Sequence, residues 1–243
     1  MTSGSLTAQN GSKSPVRRFC SFVLDTVFPP SCFCCEQEGW WACAPCRSHF
    51  SRADDRRCPL CLHESSNGYV CDVCFDVSGI RQIVSVFQFG QKGIQDMVHA
   101  LKYENIRDVS PWMGRCMAAA WNLHGGEKPE CLIPIPLHPA RLREREFNQA
   151  ELLGETIQCV LEVGLEKHIL VRARKTASQT KLSSDERKKN IEGCFAIGAV
   201  SLMPKSVLLI DDVCTTGATL CEAARMLKCH GVESVSALVF AHG

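Results

Sequence analysis

Apolar and polar positions alternate in two ways from Ile80 to the end of the chain. Short, nearly continuous apolar runs read as strands, and segments with apolar residues every three or four positions read as helices. The runs are Ile83–Phe89, Cys131–Leu137, Val207–Ile210 and Ser234–Phe240. Between them, helical spacing covers Gly93–Tyr103, about Pro111–Asn122, about Asn148–Glu162 and Ala218–His230, the last stopped by Gly231. Pro134 and Pro136 donate no ladder hydrogen bond, so the second strand is expected to end there. Strand–helix–strand alternation predicts an α/β domain, a parallel sheet flanked by helices, over 77–243.

Upstream the pattern changes. Residues 31–76 have few aliphatic side chains and no periodic stretch long enough for a core element. Such a segment cannot offset its ordering entropy by apolar burial, so something else must hold it. Residues 16–30 place apolar side chains at helical spacing before Pro29-Pro30 and predict a short docking helix, with a membrane-surface helix as the lesser alternative. Residues 1–15 are small and polar and read as a disordered tail.

Composition adds one outlying feature. Hydrophobic content of 45% and a net charge of +1 are ordinary, so neither nucleic acid nor membrane binding follows from total charge. The chain nevertheless has 17 cysteines. The apolar run after Arg17-Arg18 is interrupted by Asp25 and is too short to span a membrane, and no cleavage site follows it. A reducing, cytoplasmic location is therefore expected, with metal ligation favoured over a disulfide framework.

Eight of the cysteines form CxxC pairs: Cys32/Cys35, Cys43/Cys46, Cys58/Cys61 and Cys71/Cys74. A CxxC turn points two thiolates at one centre, and two turns complete a tetrahedral shell suited to zinc. Two structural zinc sites are expected, in an N-terminal double ribbon. Sequential pairing is favoured and interleaved pairing stays open, as does substitution of a ligand by Cys34. Disulfide or redox chemistry and an iron–sulfur cluster are the alternatives.

The most informative stretch is VLLIDDVCTTGATL, Val207–Leu220. A buried strand carries Asp211 and Asp212 to the sheet end, and Thr215, Thr216, Gly217, Ala218 and Thr219 lead into a helix. A glycine admits a ligand close to the backbone, and a helix start offers amides to an anion. Paired carboxylates beside such a cradle suit sugar hydroxyls, directly or through Mg2+. The plain alternative is an ordinary helix cap. Cys214 lies in this turn with no base beside it.

This stretch resembles the binding motif of type I phosphoribosyltransferases. The resemblance implies that Asp211 and Asp212 meet the ribose hydroxyls of phosphoribosyl pyrophosphate (PRPP) with Mg2+, and that Thr215–Thr219 hold its 5′-phosphate. Purine-salvage members usually carry an acid where this chain has Thr215, which argues against hypoxanthine or guanine as acceptor. Three more segments, Leu101–Asp108, Pro134–Leu153 and Arg172–Phe195, together with the ribbons, resemble the ComF family of competence-associated phosphoribosyltransferase-like proteins. Glu146 departs from it, since the family usually has glycine before Phe-Asn-Gln.

The resemblance brings further residues into the expected site. His138, Arg141, Arg143 and Arg145, in a strand-to-loop segment, are expected near the pyrophosphate, where guanidinium groups suit the charge. Their plain alternative is a solvated face paired with Glu144 and Glu146. Asn148 and Gln149 either orient ligand or cap the next helix. The polar, basic connection from Arg172 to Asn190, with Arg174, Lys175, Gln179 and Arg187, reads as a binding loop or a simple hinge. Lys102-Tyr103 match the family and serve packing or function. The expected catalytic set is Asp211, Asp212, Arg145 and Arg174. The expected activity is phosphoribosyl transfer to an unidentified acceptor. The alternative is a non-catalytic factor holding single-stranded DNA for the uptake machinery in natural transformation.

Overall fold

The computed structural model describes residues 29–174 and 190–243. The expected tail, most of the docking helix, Lys175, Gln179 and Arg187 lie outside them. The chain divides into two compact units, Met1–Ser48 and His49–Gly243, so the second CxxC ribbon belongs with the α/β body. The first unit contributes the first ribbon and a short helix, α1 (Ala44–Ser48).

The second unit opens with its own ribbon and α2 (Asp72–Ser78), which ends at Gly79. Then follow β1 (Ile80–Gln88), α3 (Lys92–Tyr103), a single 3-10 turn, α4 (Ser110–His124) and β2 (Cys131–Pro134). The chain continues through α5 (Pro139–Arg145), α6 (Gln149–Leu161), β3 (Gly164–Leu165), β4 (Leu170–Arg172) and β5 (Phe195–Ile197). It closes with β6 (Ser206–Cys214), α7 (Ala218–Cys229) and β7 (Ser234–His242). The main sheet has five parallel strands in the order β1-β7-β6-β2-β3. The segment Pro136–Arg145 is not the strand-to-loop expected: Pro139 starts a helix, with the His138 imidazole accepting from the Ala140 amide.

The apolar runs form strands because both sheet faces are covered. Val207–Ile210 and Val235 are buried, as are Ala237–Ala241. One face packs Ile83, Leu209, Ala237 and Val239 with Leu220, Ala223 and Leu227 of α7. On α3, Ile94, Met97, Val98 and Leu101 form a buried stripe, and α4 and α6 pack on each other and on the sheet. Each fully buried Leu or Ile contributes about 1.5–3 kcal/mol, so these stripes carry most of the helices' stability.

Two features position the site. β2 stops at Pro134, opposite Ile210, while β7 continues beside β6 through Cys214↔His242. The acids Asp211 and Asp212 therefore lie inside β6, just past the point where its β2 neighbour ends. There the chain order reverses: β2 leads outward to β3, and β6 returns on its other side. Open α/β sheets place ligands at such a switch point. Second, the ribbon of this unit covers the β1 edge. Ala53 N–H donates to Val86 O at 3.1 Å, and Ile83 N–H donates to Gly68 O at 2.8 Å. A Cβ on Gly68 would run into Ile83 O, which is why glycine stands at that crossing.

Candidate functional site

Within each ribbon, four sulfurs converge. Cys32, Cys35, Cys43 and Cys46 form one set and Cys58, Cys61, Cys71 and Cys74 the other, with all ligand atoms within 4.8 Å of one another. The pairing is thus sequential, and Cys34 stays exposed outside the first set. The two ribbons repeat each other beyond their cysteines. In the first, Cys43 N–H donates to Cys32 Sγ at 3.4 Å and Glu36 N–H to Cys32 O at 2.9 Å. In the second, Cys71 N–H donates to Cys58 Sγ at 3.4 Å and Leu62 N–H to Cys58 O at 2.9 Å. Glu36 and Leu62 both take the left-handed conformation (φ 62° and 65°). The sequence hid this repeat because the matched positions share no side-chain chemistry; only the CxxC spacing marks it.

In each set the backbone prepares one sulfur for a cation, whereas Cys46 is raised by its hydrogen bonds to Cys43 and Cys35, and Cys74 by burial and its hydrogen bond to Cys61. Burial alone would raise the Cys32 thiol, but amides of Cys43, Cys34 and Cys35 outweigh it and bring the group down to about 6. Cys58 is treated likewise by Cys71, Leu60 and Cys61 and falls to about 7. Thiolates held at this spacing fit a four-coordinate zinc shell with no open position, a structural rather than a catalytic arrangement.

The second site is built on β6. Asp211 is partly buried and Asp212 is 5% exposed. Burial and the adjacent Asp212 carboxylate push Asp211 up to about 7, against the pull of Lys102 and Arg172. Asp212 N–H donates to Asp211 Oδ1 at 2.9 Å. Lys102, from the last turn of α3, donates to Asp212 Oδ1 at 2.9 Å. The other oxygen, Asp212 Oδ2, is buried with no hydrogen-bond partner among the described residues. An oxygen in that state calls for a hydroxyl or a cation.

Beyond Cys214 the chain turns through Thr215 and Thr216 to Gly217, which is left-handed at φ 71° and precedes α7. Gly217 has no side chain with which to cap α7, whose first-turn amides have no partner within the helix. Cys214 is buried and pushed up to about 12 by burial, with Asp211 adding to the effect, so it is a neutral packing residue.

The remaining expected residues divide. Arg172, on β4, lies with its guanidinium 5.5 Å over the Phe195 ring, and burial lowers its proton affinity; Arg141 and Asp211 are among the charges it feels. Arg145 stacks 4.9 Å over the Tyr103 ring, beside Lys102. Asn148 caps α6 by accepting from Ala150 N–H and donates to Ile135 O, so it ties the helix to the end of β2. Gln149 is buried, and its Nε2 has no hydrogen-bond partner among the described residues. Arg174 donates to the carbonyls of Asn190 and Glu192 at 3.1 and 2.6 Å. It fastens the base of the 172–190 connection rather than reaching the acids. That base is a small antiparallel ladder of β4 and β5, two short strands that the apolar pattern does not predict. Glu146 takes φ 65° at the end of α5, the left-handed position where glycine would be at ease. Lys102 is the residue the sequence left undecided; its ammonium belongs to the site.

Comparisons with known proteins give the chain its relatives. The phosphoribosyl transferase domain family matches residues 155–243. DNA utilization protein YhgH of Escherichia coli (strain K12) is 27% identical over 202 residues, 81% of this chain and 88% of that protein. Competence protein F of Haemophilus influenzae is 31% identical over 149 residues, covering 57% and 63%. Competence protein ComFC of Bacillus subtilis is 30% identical over 192 residues, covering 76% and 77%. Among solved structures, a Trypanosoma cruzi hypoxanthine phosphoribosyl transferase aligns over 56% of this chain and 64% of its own at 17% identity. Its TM-score of 0.32 is too low to bear on the fold. No helix among the described residues is long and apolar enough to cross a membrane.

Proposed function

The chain belongs to the ComF family, and from that premise we propose that its α/β domain binds PRPP with Mg2+ and transfers the phosphoribosyl group to an acceptor. One observation carries the reading. Adjacent carboxylates, one with a buried oxygen that has no hydrogen-bond partner among the described residues, sit at a topological switch point, followed by a left-handed glycine and a helix start. An isolated cap would need neither the second acid nor the lysine paired with it.

In this reading Asp211 and Asp212 accept from the 2′- and 3′-hydroxyls of the ribose and hold Mg2+, whose charge offsets the pyrophosphate. The Thr215–Thr219 amides and hydroxyls take the 5′-phosphate. Lys102 holds one oxygen of Asp212 at 2.9 Å and so fixes the carboxylate's orientation. Arg172 and Arg141 are the cations available to the leaving group. Transfer forms a bond from the acceptor's nucleophilic atom to C1′ and breaks the C1′–O bond. Pyrophosphate departs with the bonding electrons, and the acceptor's proton passes to solvent. Preorganised cations act where negative charge develops, so they lower the barrier. Two zinc ions in the thiolate sets complete the cofactor assignment.

A second reading keeps the pocket but assigns it to a single DNA strand. It draws on the names of the relatives, which refer to DNA utilization and competence. It also draws on a surface where Arg145 lies over Tyr103 and Arg107 lies 4.5 Å over Phe147. Calorimetric titration of PRPP with and without Mg2+, into wild type and Asp211→Asn/Asp212→Asn, separates the two. Saturable binding that needs Mg2+ and is lost in the variant is the expected result. No binding to folded wild type removes the transferase reading, and titration with an oligonucleotide then decides the second.

A further inference from the structure

The second metal ribbon does more than close its own loop. Its knuckle, Cys58-Pro59-Leu60-Cys61, lies against the turn that leads into α7. Cys58 is fully buried in the same apolar cluster as Cys214 and Leu220, and Leu60 packs on that cluster. A Cβ on Gly217 would run straight into Leu60 Cδ2. Pro59 O meets His242 Nε2 at 2.9 Å; a carbonyl only accepts, so Nε2 carries the proton. Gly243 N–H in turn donates to Cys214 O at 3.0 Å, joining the end of β7 to the start of the turn. Gly217 is therefore enclosed from outside by a side chain whose own position is set by two metal-ligand cysteines.

We propose that Leu60 is a positioning residue for the Thr215–Thr219 cradle: it holds Gly217 in its left-handed conformation, so the second thiolate centre organises the anion-binding loop. The proposal rests on the assignment of that loop as the 5′-phosphate site. Its physical basis is steric. A loop that must present several amides at once loses affinity when its backbone gains alternatives, and the small apolar contact removes them. Glycine is needed at 217 twice over, for its φ and for the space Leu60 takes.

The test compares wild type, Leu60→Ala, Leu60→Met, Gly217→Ala and the Leu60→Ala/Gly217→Ala double variant, each checked for unchanged zinc content. Leu60→Val replaces Leu60→Ala if the latter does not fold. In ligand-free protein, hydrogen exchange of the amides at 215–221 should speed up in Leu60→Ala, while Leu60→Met restores the wild-type rate. With PRPP and Mg2+, Leu60→Ala should weaken binding on the order of tenfold. Gly217→Ala should cost less in the Leu60→Ala background than in wild type, by on the order of threefold, since contacting sites are non-additive. Wild-type exchange rates in Leu60→Ala, or strictly additive effects, overturn the proposal. Failure of wild type to bind PRPP instead sinks the transferase reading, and exchange rates and their double-variant coupling still judge Leu60.

Discussion

With burial and the Asp212 carboxylate holding it up to about 7, Asp211 keeps a proton that an ordinary aspartate loses near 3.8. The folded value lies above the unfolded one, so this group's contribution is complete below 3.8 and is lost as pH rises through about 7. Asp211→Asn should flatten that slope and raise the melting temperature at pH 8 by roughly 2–4 °C. Melts of both proteins at pH 5 and pH 8 check it; parallel pH dependence would refute the assignment. Mg2+ binding runs the other way and should strengthen from pH 6 to pH 8, because the cation competes with that proton. Lys102 is the counterpart. Its side chain is 23% exposed and that of Asp212 7%, so solvent screens the pair in part. Lys102→Met should cost about 2–3 kcal/mol in urea denaturation, below the 3–5 of a fully buried pair. Adding Asp212→Asn should recover most of the loss, and no recovery would mean that the lysine matters through packing alone.

Helices and strands add constraints that no single side chain shows. α5 ends on Glu146 at φ 65°, a conformation strained for a residue with a Cβ. The Arg107–Glu146 pair at 3.1 Å is exposed and offsets little of that strain. Glu146→Gly is expected to stabilise the protein by about 0.5–1 kcal/mol, read as a higher urea midpoint at unchanged slope. A lower midpoint would show that the ion pair outweighs the strain. α6 depends on Asn148, whose side chain caps the helix and holds the Ile135 carbonyl of the segment leaving β2. The segment Phe-Asn-Gln at 147–149 is thus a helix start.

At the scale of the whole molecule, the metal centre and the sheet share one edge. Segments of the second ribbon pair with β1 at both ends, through Val70 N–H to Arg81 O at 3.0 Å and Gln88 N–H to Ser51 O at 3.1 Å. With zinc in its thiolate set, as proposed, most of the ribbon's folding free energy would come from that metal, so removing it should also uncover a sheet edge. A strong chelator is expected to open protease cleavage across 49–79 and to promote association seen by light scattering. The α/β strands should keep their circular dichroism. An unchanged cleavage pattern after confirmed metal loss would show that the ribbon stands without it.

Features that depend on local spacing were legible in the amino-acid sequence. CxxC turns specify four-thiolate sets, and apolar runs broken by stripes every three or four residues specify strands and helices. Asp-Asp, two spacers and Thr-Thr-Gly-Ala-Thr specify a carboxylate pair beside a helix start. Each is a property of neighbours in the chain, set by the 2.0 and 3.6 periods and by turn geometry. Tertiary structure alone decided which distant residues meet. Lys102 reaches Asp212 because α3 ends beside β6. Arg174 reaches Asn190 and Glu192 because β4 and β5, two strands too short to show in the apolar pattern, pair at the base of that connection. Leu60 lands on Gly217 because packing, not spacing, sets the ribbon against the ligand end of the sheet. Contacts between residues so far apart depend on how whole elements bury their apolar faces together, and no local pattern in the chain records that choice.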